Sequence, residues 1–274
     1  MNMEKTESKL KCELYHDNFQ NYKRYNIKQA QLVIADIPYN LANNAYASSP
    51  EWYIGGDNKN GESKKANSAF FETDKNFNIN EFFHFSHKLL KPEPKQRNEA
   101  GCMVVFCSFQ QLPMVIEVAK KHGFKNHIPL IFIKKTSAQV LKANMRIVGA
   151  CEYGLVLYRD KLPKFRNNKK MILNWFEYAK DKGVAKIHPV QKPMNLLGRL
   201  IEIYTDPWDV VIDPCAGSGT TLKAAYNLGR NSYGFEVSKK FYDLAQANML
   251  SNLTPNEFTQ RIIDEQISKR NQNF

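Results

Sequence analysis

Residues 32–40, Leu-Val-Ile-Ala-Asp-Ile-Pro-Tyr-Asn, run an apolar segment into a carboxylate, a proline-stiffened turn and an aromatic ring. Taken alone, this is either a reactive constellation or an ordinary strand end with a solvated Asp and a packing Tyr. Residues 209–221, Asp-Val-Val-Ile-Asp-Pro-Cys-Ala-Gly-Ser-Gly-Thr-Thr, carry the second signal. An apolar strand enters a tight Gly217-Ser218-Gly219 turn, and Thr220 opens a helix. Glycines there let the backbone approach a ligand closely, with helix-end N–H groups nearby. After one intervening helix, Glu236 ends the next strand, where a carboxylate is placed to accept both hydroxyls of a ribose. No lysine follows the glycines, which disfavours nucleoside triphosphate phosphates, and the third glycine of a dinucleotide fingerprint is missing. An adenosyl ligand with no phosphate requirement fits the turn best.

These groups need a scaffold, and the chain supplies one. Short apolar runs alternate with amphipathic stretches, the βα rhythm of a largely parallel sheet. Strands are expected at Leu32–Ala35, Met103–Ser108, Ile128–Ile133, Tyr153–Tyr158, Val210–Ile212 and Ser232–Phe235. Helices are expected at Ile79–Leu90, Leu112–His122, Pro193–Thr205, Thr220–Leu228 and Lys240–Leu250. The stretch Asn40–Asn76, rich in Asn, Ser, Gly and Lys, breaks the rhythm; it reads as a mobile loop over 41–76 or as a disordered surface insertion. A short amphipathic helix and a frayed tail are expected after Thr254. The strand pattern does not set the order of the sheet.

At 274 residues the chain suits one domain spanning 1–274 with a smaller insertion, and 43% apolar residues suffice for a core. No apolar run reaches membrane-spanning length, and Met1–Lys11 has no leader-like pattern, so a cytoplasmic protein is expected. The five cysteines are Cys12, Cys102, Cys107, Cys151 and Cys215; they are odd in number and lack zinc-like spacing, and no metal is expected. His84 and His87 have a spacing compatible with ligation, but a third ligand is missing and Phe82, Phe83 and Phe85 mark a packing helix. The net charge is +12, and Lys120–Lys192 holds 17 basic and 4 acidic residues, a local net of +13. That concentration, with Phe165, Trp175, Phe176 and Tyr178 interspersed, fits a polyanion-binding face; a solvated lysine-rich surface remains the alternative.

Taken together, the motifs resemble the amino-methyltransferase family, whose catalytic tetrapeptide is (Asp/Asn/Ser)-Pro-Pro-Tyr and whose cofactor loop is Asp-Pro-Phe-x-Gly-x-Gly-Thr-Thr. The order here is the tetrapeptide, then His-Pro-Val-Gln-Lys-Pro at 188–193, then the glycine loop and Glu236. That permuted order is similar to the β-class DNA methyltransferases, and the resemblance covers roughly Leu14 to Leu250. It implies a Rossmann-like α/β fold with a mostly parallel sheet, a circularly permuted motif order and a small basic insertion over 134–187. It implies S-adenosylmethionine as cofactor and double-stranded DNA as substrate, is compatible with a homodimer, and leaves open a cognate restriction endonuclease or a solitary or phage-borne enzyme. With little room for a nuclease, a lone methyltransferase is expected, in a bacterium or a phage-infected host. By the resemblance, Asp36, Ile37, Pro38 and Tyr39 are catalytic, Asp36 also touching the cofactor. Asp213, Pro214, Cys215, Ala216, Gly217, Ser218, Gly219 and Thr220 form the cofactor loop, Glu236 holds the ribose, and Val237 packs on adenine. His188, Lys192 and Pro193 close the pocket from the other side. Tyr15-His-Asp17-Asn-Phe19 is similar to the strand end that touches the adenine, with Asp17 the contact; a plain Asp-Asn turn explains the same residues. Two positions depart from the pattern: Ile37 stands for the first proline and Cys215 for the phenylalanine.

The implied chemistry explains the residue types. An exocyclic amino group is a poor nucleophile because its lone pair is delocalised into the ring. The Asp36 carboxylate and the Ile37 carbonyl would accept its two N–H bonds, and Tyr39 would stack on the base. No covalent nucleophile is needed, so Cys102, Cys107 and Cys151 are expected as buried apolar residues. The base must leave the duplex. Lys134, Lys135, Lys142, Arg146, Arg159, Lys164, Arg166, Lys169 and Lys170 are the expected DNA contacts, with Arg166 and Gln139 as candidates to read base edges. Adenine N6 is the expected target. Cytosine N4, an RNA or protein amide substrate, and a non-catalytic nucleic-acid-binding protein are the alternatives.

Overall fold

A computed structural model describes residues 9–38, 77–135, 143–144, 147–179, 181, 183–188 and 191–271. Tyr39, the loop over 41–76, Gln139, Lys142 and Arg146 lie outside the described residues. The described strands are β1 (Cys12–Tyr15), β2 (Leu32–Asp36), β3 (Cys102–Cys107), β4 (Asn126–Lys134), β5 (Cys151–Tyr158), β6 (Trp175–Tyr178), β7 (Val210–Asp213) and β8 (Asn231–Phe235). The helices are α1 (Ile79–Leu89), α2 (Leu112–Lys121), α3 (Met194–Tyr204), α4 (Thr220–Asn227), α5 (Lys239–Ala245), continued by a π turn at Gln246–Leu250, and α6 (Glu257–Asn271).

The strands form one sheet in the order β1-β8-β7-β2-β3-β5-β4-β6. β1, β8, β7, β2 and β3 pair in parallel, β5 runs against both β3 and β4, and β6 lies parallel to β4. The mostly parallel α/β sheet expected from the sequence is therefore present. Strand alternation sorts the core into two layers. Val33 and Ala35 face α1 and α2, with Phe82, Phe83, Phe85, Val115 and Ala119. Leu32 and Ile34 face α3 and α4, with Leu196, Leu200, Ile201 and Ala225. Asp36 continues the parity of Leu32 and Ile34, which turns it toward the α3 layer.

Chain direction reverses at the centre of the sheet. From β7 the chain crosses through α4 to β8 on one side, and from β2 it crosses through α1 to β3 on the other. β2 and β7 are paired neighbours. Their carboxyl ends flank a topological switch point, where open α/β sheets bind ligands. Both motifs singled out in the sequence end there.

Two elements were not anticipated as strands from the residues. β1 and β6 are four residues each and sit on opposite edges of the sheet. The helix after Thr254 is longer than expected, at 15 residues, and docks through Ile262 and Thr259, whose hydroxyl bonds the Asn227 carbonyl at 2.7 Å.

Candidate active site

The glycine turn is built as its sequence demands. Gly217 and Gly219 both have positive φ, 51° and 73°. A side chain on Gly217 would meet nothing nearer than 4.0 Å, with the His188 ring and the Cys215 carbonyl at that limit, so the turn leaves an open cradle. Glu236, just beyond β8, accepts the Gly217 N–H at 2.9 Å and the Ser238 N–H at 2.7 Å. The carboxylate is thereby fixed beside the turn. Gly219 N–H closes the turn on the Ala216 carbonyl at 2.8 Å, and Ser218 and Thr220 share a hydroxyl hydrogen bond of 2.7 Å. Pro214, Ala216, Ser218 and Thr220 are buried, Cys215 is half-buried, and Val237 is exposed at the rim.

Asp213 ends β7 in full burial and accepts the Cys215 N–H at 3.0 Å. Burial pushes its carboxyl up to about 7, and the charges of Asp36 and Glu236 act in the same direction against hydrogen bonds from Thr221 and Cys215. Three carboxyl groups therefore share the carboxyl edge of β2, β7 and β8. That set repels a phosphate and suits a ligand with cationic groups. S-adenosylmethionine, with a sulfonium and an α-ammonium, matches the donor set as well as the cradle. His188 packs edge-on against Phe241 at 4.5 Å. Burial, aided by Lys192, pushes its imidazole down to about 4, so it is neutral at pH 7 and adds no cation to the site.

The carboxyl end of β2 is fixed by an ion pair. Lys192 Nζ lies 2.8 Å from Asp36 Oδ2 and 3.3 Å from Glu152 Oε2, and sits over the Phe106 ring at 5.1 Å. Pro193, buried, follows it and begins α3, whose N-terminal Met194 N–H bonds Asp181 at 2.6 Å. Glu152 also pairs with Lys134 and accepts the Tyr178 hydroxyl at 2.9 Å. Although burial works against charge, Asp36 and Glu152 together hold the Lys192 ammonium well above its usual range. Burial also opposes the Glu152 charge, but Lys192 and Lys134 outweigh it and hold its carboxyl at about 2. Ile37 is buried and donates its N–H to the Phe106 carbonyl at 3.2 Å, while Gln111 donates to the Pro38 carbonyl at 2.9 Å.

Asp17 lies beyond the end of β1, beside β8, and the Glu236 N–H bonds the Tyr15 carbonyl at 3.0 Å. Its carboxylate shapes the local turn: it accepts from Asn18 N–H at 2.7 Å, Asn21 at 2.6 Å and Tyr25 at 2.9 Å. The Asp-Asn turn foreseen as an alternative is thus real, and it brings this segment against the Glu236 end of the cradle.

The basic residues divide. Lys134 and exposed Lys135 close β4 at the same edge as Asp36. Lys164 and Arg166 do not. Lys164 is buried and meets Asp209 at 2.7 Å and Asp206 at 2.8 Å; Arg166 meets Asp206 at 2.7 Å and Glu99 at 2.9 Å. Lys91 completes the cluster with Asp209 at 2.6 Å, and the Arg159 guanidinium donates to the Lys91 carbonyl. Asp209 precedes β7, Glu99 precedes β3, and Arg159 follows the antiparallel β5, so the cluster sits at the amino edge of the sheet. A five-residue strand puts roughly 13 Å between the two edges. Arg159, Lys164 and Arg166, expected from the sequence as DNA contacts, thus stand at the edge opposite Asp36, where their charges tie the loops beneath the sheet together. Lys169 and Lys170 are exposed on the turn that follows Arg166. Cys102 and Cys107 are buried as expected, but Cys151 is exposed. It starts β5, and its side chain turns outward.

Sequence reasoning missed Glu152, Gln111, Phe106 and the Tyr178 hydroxyl as members of the site. A signal existed for Glu152: it is one of 4 acids in the +13 segment and heads an otherwise apolar strand. Among the described residues no group of three His, Cys, Asp or Glu is set to hold a metal ion, and no helix is long and apolar enough to cross a membrane.

A glycine cradle and a strand-end carboxylate meet at one switch point of a Rossmann-like sheet, the architecture of the S-adenosylmethionine-dependent methyltransferases. A family profile described as DNA methylase matches residues 30–247. The chain belongs to this N6/N4 DNA methyltransferase family, which uses S-adenosylmethionine. It is 28% identical over 247 residues to the type II methyltransferase M2.MboI of Moraxella bovis, covering 84% of this chain and 85% of that one. It is 30% identical over 147 residues to the YubD protein of Escherichia coli (strain K12), covering 54% of this chain and 61% of that one. The fold is similar to M1.HpyAVI in complex with S-adenosylmethionine, with a TM-score of 0.62, 23% identity and coverage of 86% of this chain and 98% of that one. It is also similar to the cytosine-N4-specific PvuII DNA methyltransferase, with a TM-score of 0.63, 17% identity and coverage of 92% and 90%.

Proposed function

We propose that this DNA methyltransferase modifies the N6 amino group of adenine within a specific duplex sequence, as a type II modification enzyme does. The observation that carries the reading is Asp36 at the carboxyl end of β2, held by Lys192 at 2.8 Å beside the glycine cradle. Bound in that cradle, S-adenosylmethionine supplies an electrophilic methyl group. Asp213, Ala216, Gly217 and Gly219 would hold its methionine part, Glu236 its ribose, and Asp17 and Val237 its adenine.

The Asp36 carboxylate accepts one N–H of the target amine and the Ile37 carbonyl the other, which draws the nitrogen toward a lone-pair-bearing geometry. Positive charge developing on nitrogen meets an acceptor already in place, so little reorganisation is needed. Aligning the amine with the methyl group supplies much of the remaining acceleration. Tyr39 stacks on the extracted base. Because the base has to leave the duplex, phosphate contacts must offset a few kcal/mol of unstacking; Lys134, Lys135, Lys142 and Arg146 are the residues assigned to them. An aspartate in the first tetrapeptide position favours adenine, since serine is common there in cytosine-N4 enzymes.

Asp36→Ala tests the assignment. With methyl-labelled S-adenosylmethionine and DNA amplified in vitro, which carries no methyl groups, the wild type labels DNA. The variant should fall at least about 1,000-fold while still binding the cofactor, as expected for loss of a preorganised transition-state contact. Retention of wild-type transfer by Asp36→Ala would sink the assignment.

A further inference from the structure

Five neighbouring strands converge on one chain of alternating charge. Asp36 ends β2, Phe106 is its register partner on β3, Glu152 lies near the start of β5, Lys134 ends β4 and Tyr178 ends β6. Lys192, entering from the amino end of α3, joins them: Asp36 at 2.8 Å on one side, Glu152 at 3.3 Å on the other, the Phe106 ring beneath. Glu152 is itself held by Lys134 and by the Tyr178 hydroxyl. The sequence Lys134, Glu152, Lys192, Asp36 thus reads plus, minus, plus, minus in a mostly buried row. Asp213 on β7 and Cys107 on β3 also act on Asp36, while Glu236 beyond β8 acts on Asp213 and His188 before α3 faces Lys192.

A buried ammonium against the acceptor carboxylate has two opposed effects. It fixes the rotamer of Asp36, which helps. It also withdraws acceptor strength from the very group that must pull on the amine N–H, which hurts. The balance depends on how much of the Lys192 charge is spent elsewhere. Glu152 is the group placed to share it.

We propose that Glu152 is a positioning residue for methyl transfer: by sharing the Lys192 ammonium, it leaves Asp36 oriented yet strong enough as an acceptor for the amine. This rests on the reading of Asp36 as the catalytic carboxylate. Glu152 acts only through Lys192 and does not touch the base. Without its charge, Lys192 is drawn wholly onto Asp36, and transfer slows although the cofactor still binds.

The test is a double-mutant cycle on single-turnover methyl transfer, with methyl-labelled S-adenosylmethionine and DNA amplified in vitro. Glu152→Gln keeps the shape and an acceptor for Tyr178. It should slow transfer by about tenfold or more while cofactor affinity stays within about threefold, and Glu152→Asp should recover most of the rate. In a Lys192→Met background, Glu152→Gln should change the rate by less than about twofold, because the group it acts through is gone. Two results overturn the inference: a Glu152→Gln enzyme as fast as wild type, or an equal loss in both backgrounds, which marks a purely structural role. If Lys192→Met does not fold, failure of Glu152→Asp to recover the rate overturns it. Wild-type activity in Asp36→Ala would instead remove the reading beneath it.

Discussion

Asp213 ends β7 with its carboxyl enclosed and pushed up to about 7 by burial, with Asp36 and Glu236 adding to the effect. An acid whose folded value lies above its unfolded value binds its proton more tightly in the folded state. Folding is then favoured while the group is protonated, and that contribution is lost as pH rises from about 4 toward 7. Asp213→Asn removes the titration and keeps an acceptor for the Cys215 N–H. In cofactor-free protein, its melting temperature minus that of the wild type should rise from pH 5 to pH 8 and level off above. A difference that stays constant with pH would contradict the assignment. Residue types at this scale were readable in advance. The acid after Val-Val-Ile, the acid after the next strand and the acid of Asp-Ile-Pro-Tyr all lie where the sequence placed them. Their coupling was not readable, because it depends on β2 and β7 being neighbours, and strand order is not written in apolar periodicity.

Among the elements, the glycine turn and β8 are fitted most tightly. A side chain on Gly234 would meet Leu222 at 2.8 Å and Ala216 at 3.0 Å, so β8 can approach the turn only because that residue has none. Gly234→Ala should cost about 1–3 kcal/mol, the usual range for overpacking, and weaken cofactor binding by displacing Ala216. Gly198 in α3 offers the contrast: its added carbon would meet only Leu228, at an ordinary 3.7 Å. Gly198→Ala should stabilise the fold by about 0.5–1 kcal/mol through helix propensity. Denaturant midpoints of the two variants check both signs. The helices and the other six strands were legible because each carries a helical apolar period or a distinct apolar run. β1 and β6 were not, because four residues at a sheet edge carry too little periodicity. Half-exposed Trp-Phe-Glu-Tyr at β6 reads equally well as part of a basic loop.

For the whole molecule, the concentration of positive charge in Lys120–Lys192 invited one assignment to DNA, and the fold splits it between two edges of the sheet. β5 accounts for the split. It runs antiparallel, so residues following it, including Arg159, Lys164 and Arg166, land opposite the site. Lys164→Met should destabilise the protein by about 1–3 kcal/mol, since it removes the buried cation shared by Asp206 and Asp209, while leaving DNA affinity and its salt dependence unchanged. Lys135→Ala should do the reverse: stability holds, affinity drops across all sequences, and the salt slope shrinks by about one. Thermal melts and binding titrations at several salt concentrations separate the two outcomes.

The most direct measurement of the central claim is the identity of the methylated base. DNA amplified in vitro is incubated with the protein and methyl-labelled S-adenosylmethionine, digested to nucleosides and resolved. Label in N6-methyladenine, absent when Asp36→Ala replaces the wild type, is the predicted result. Label in N4-methylcytosine, or none in any DNA nucleoside from a protein that binds the cofactor, would contradict it.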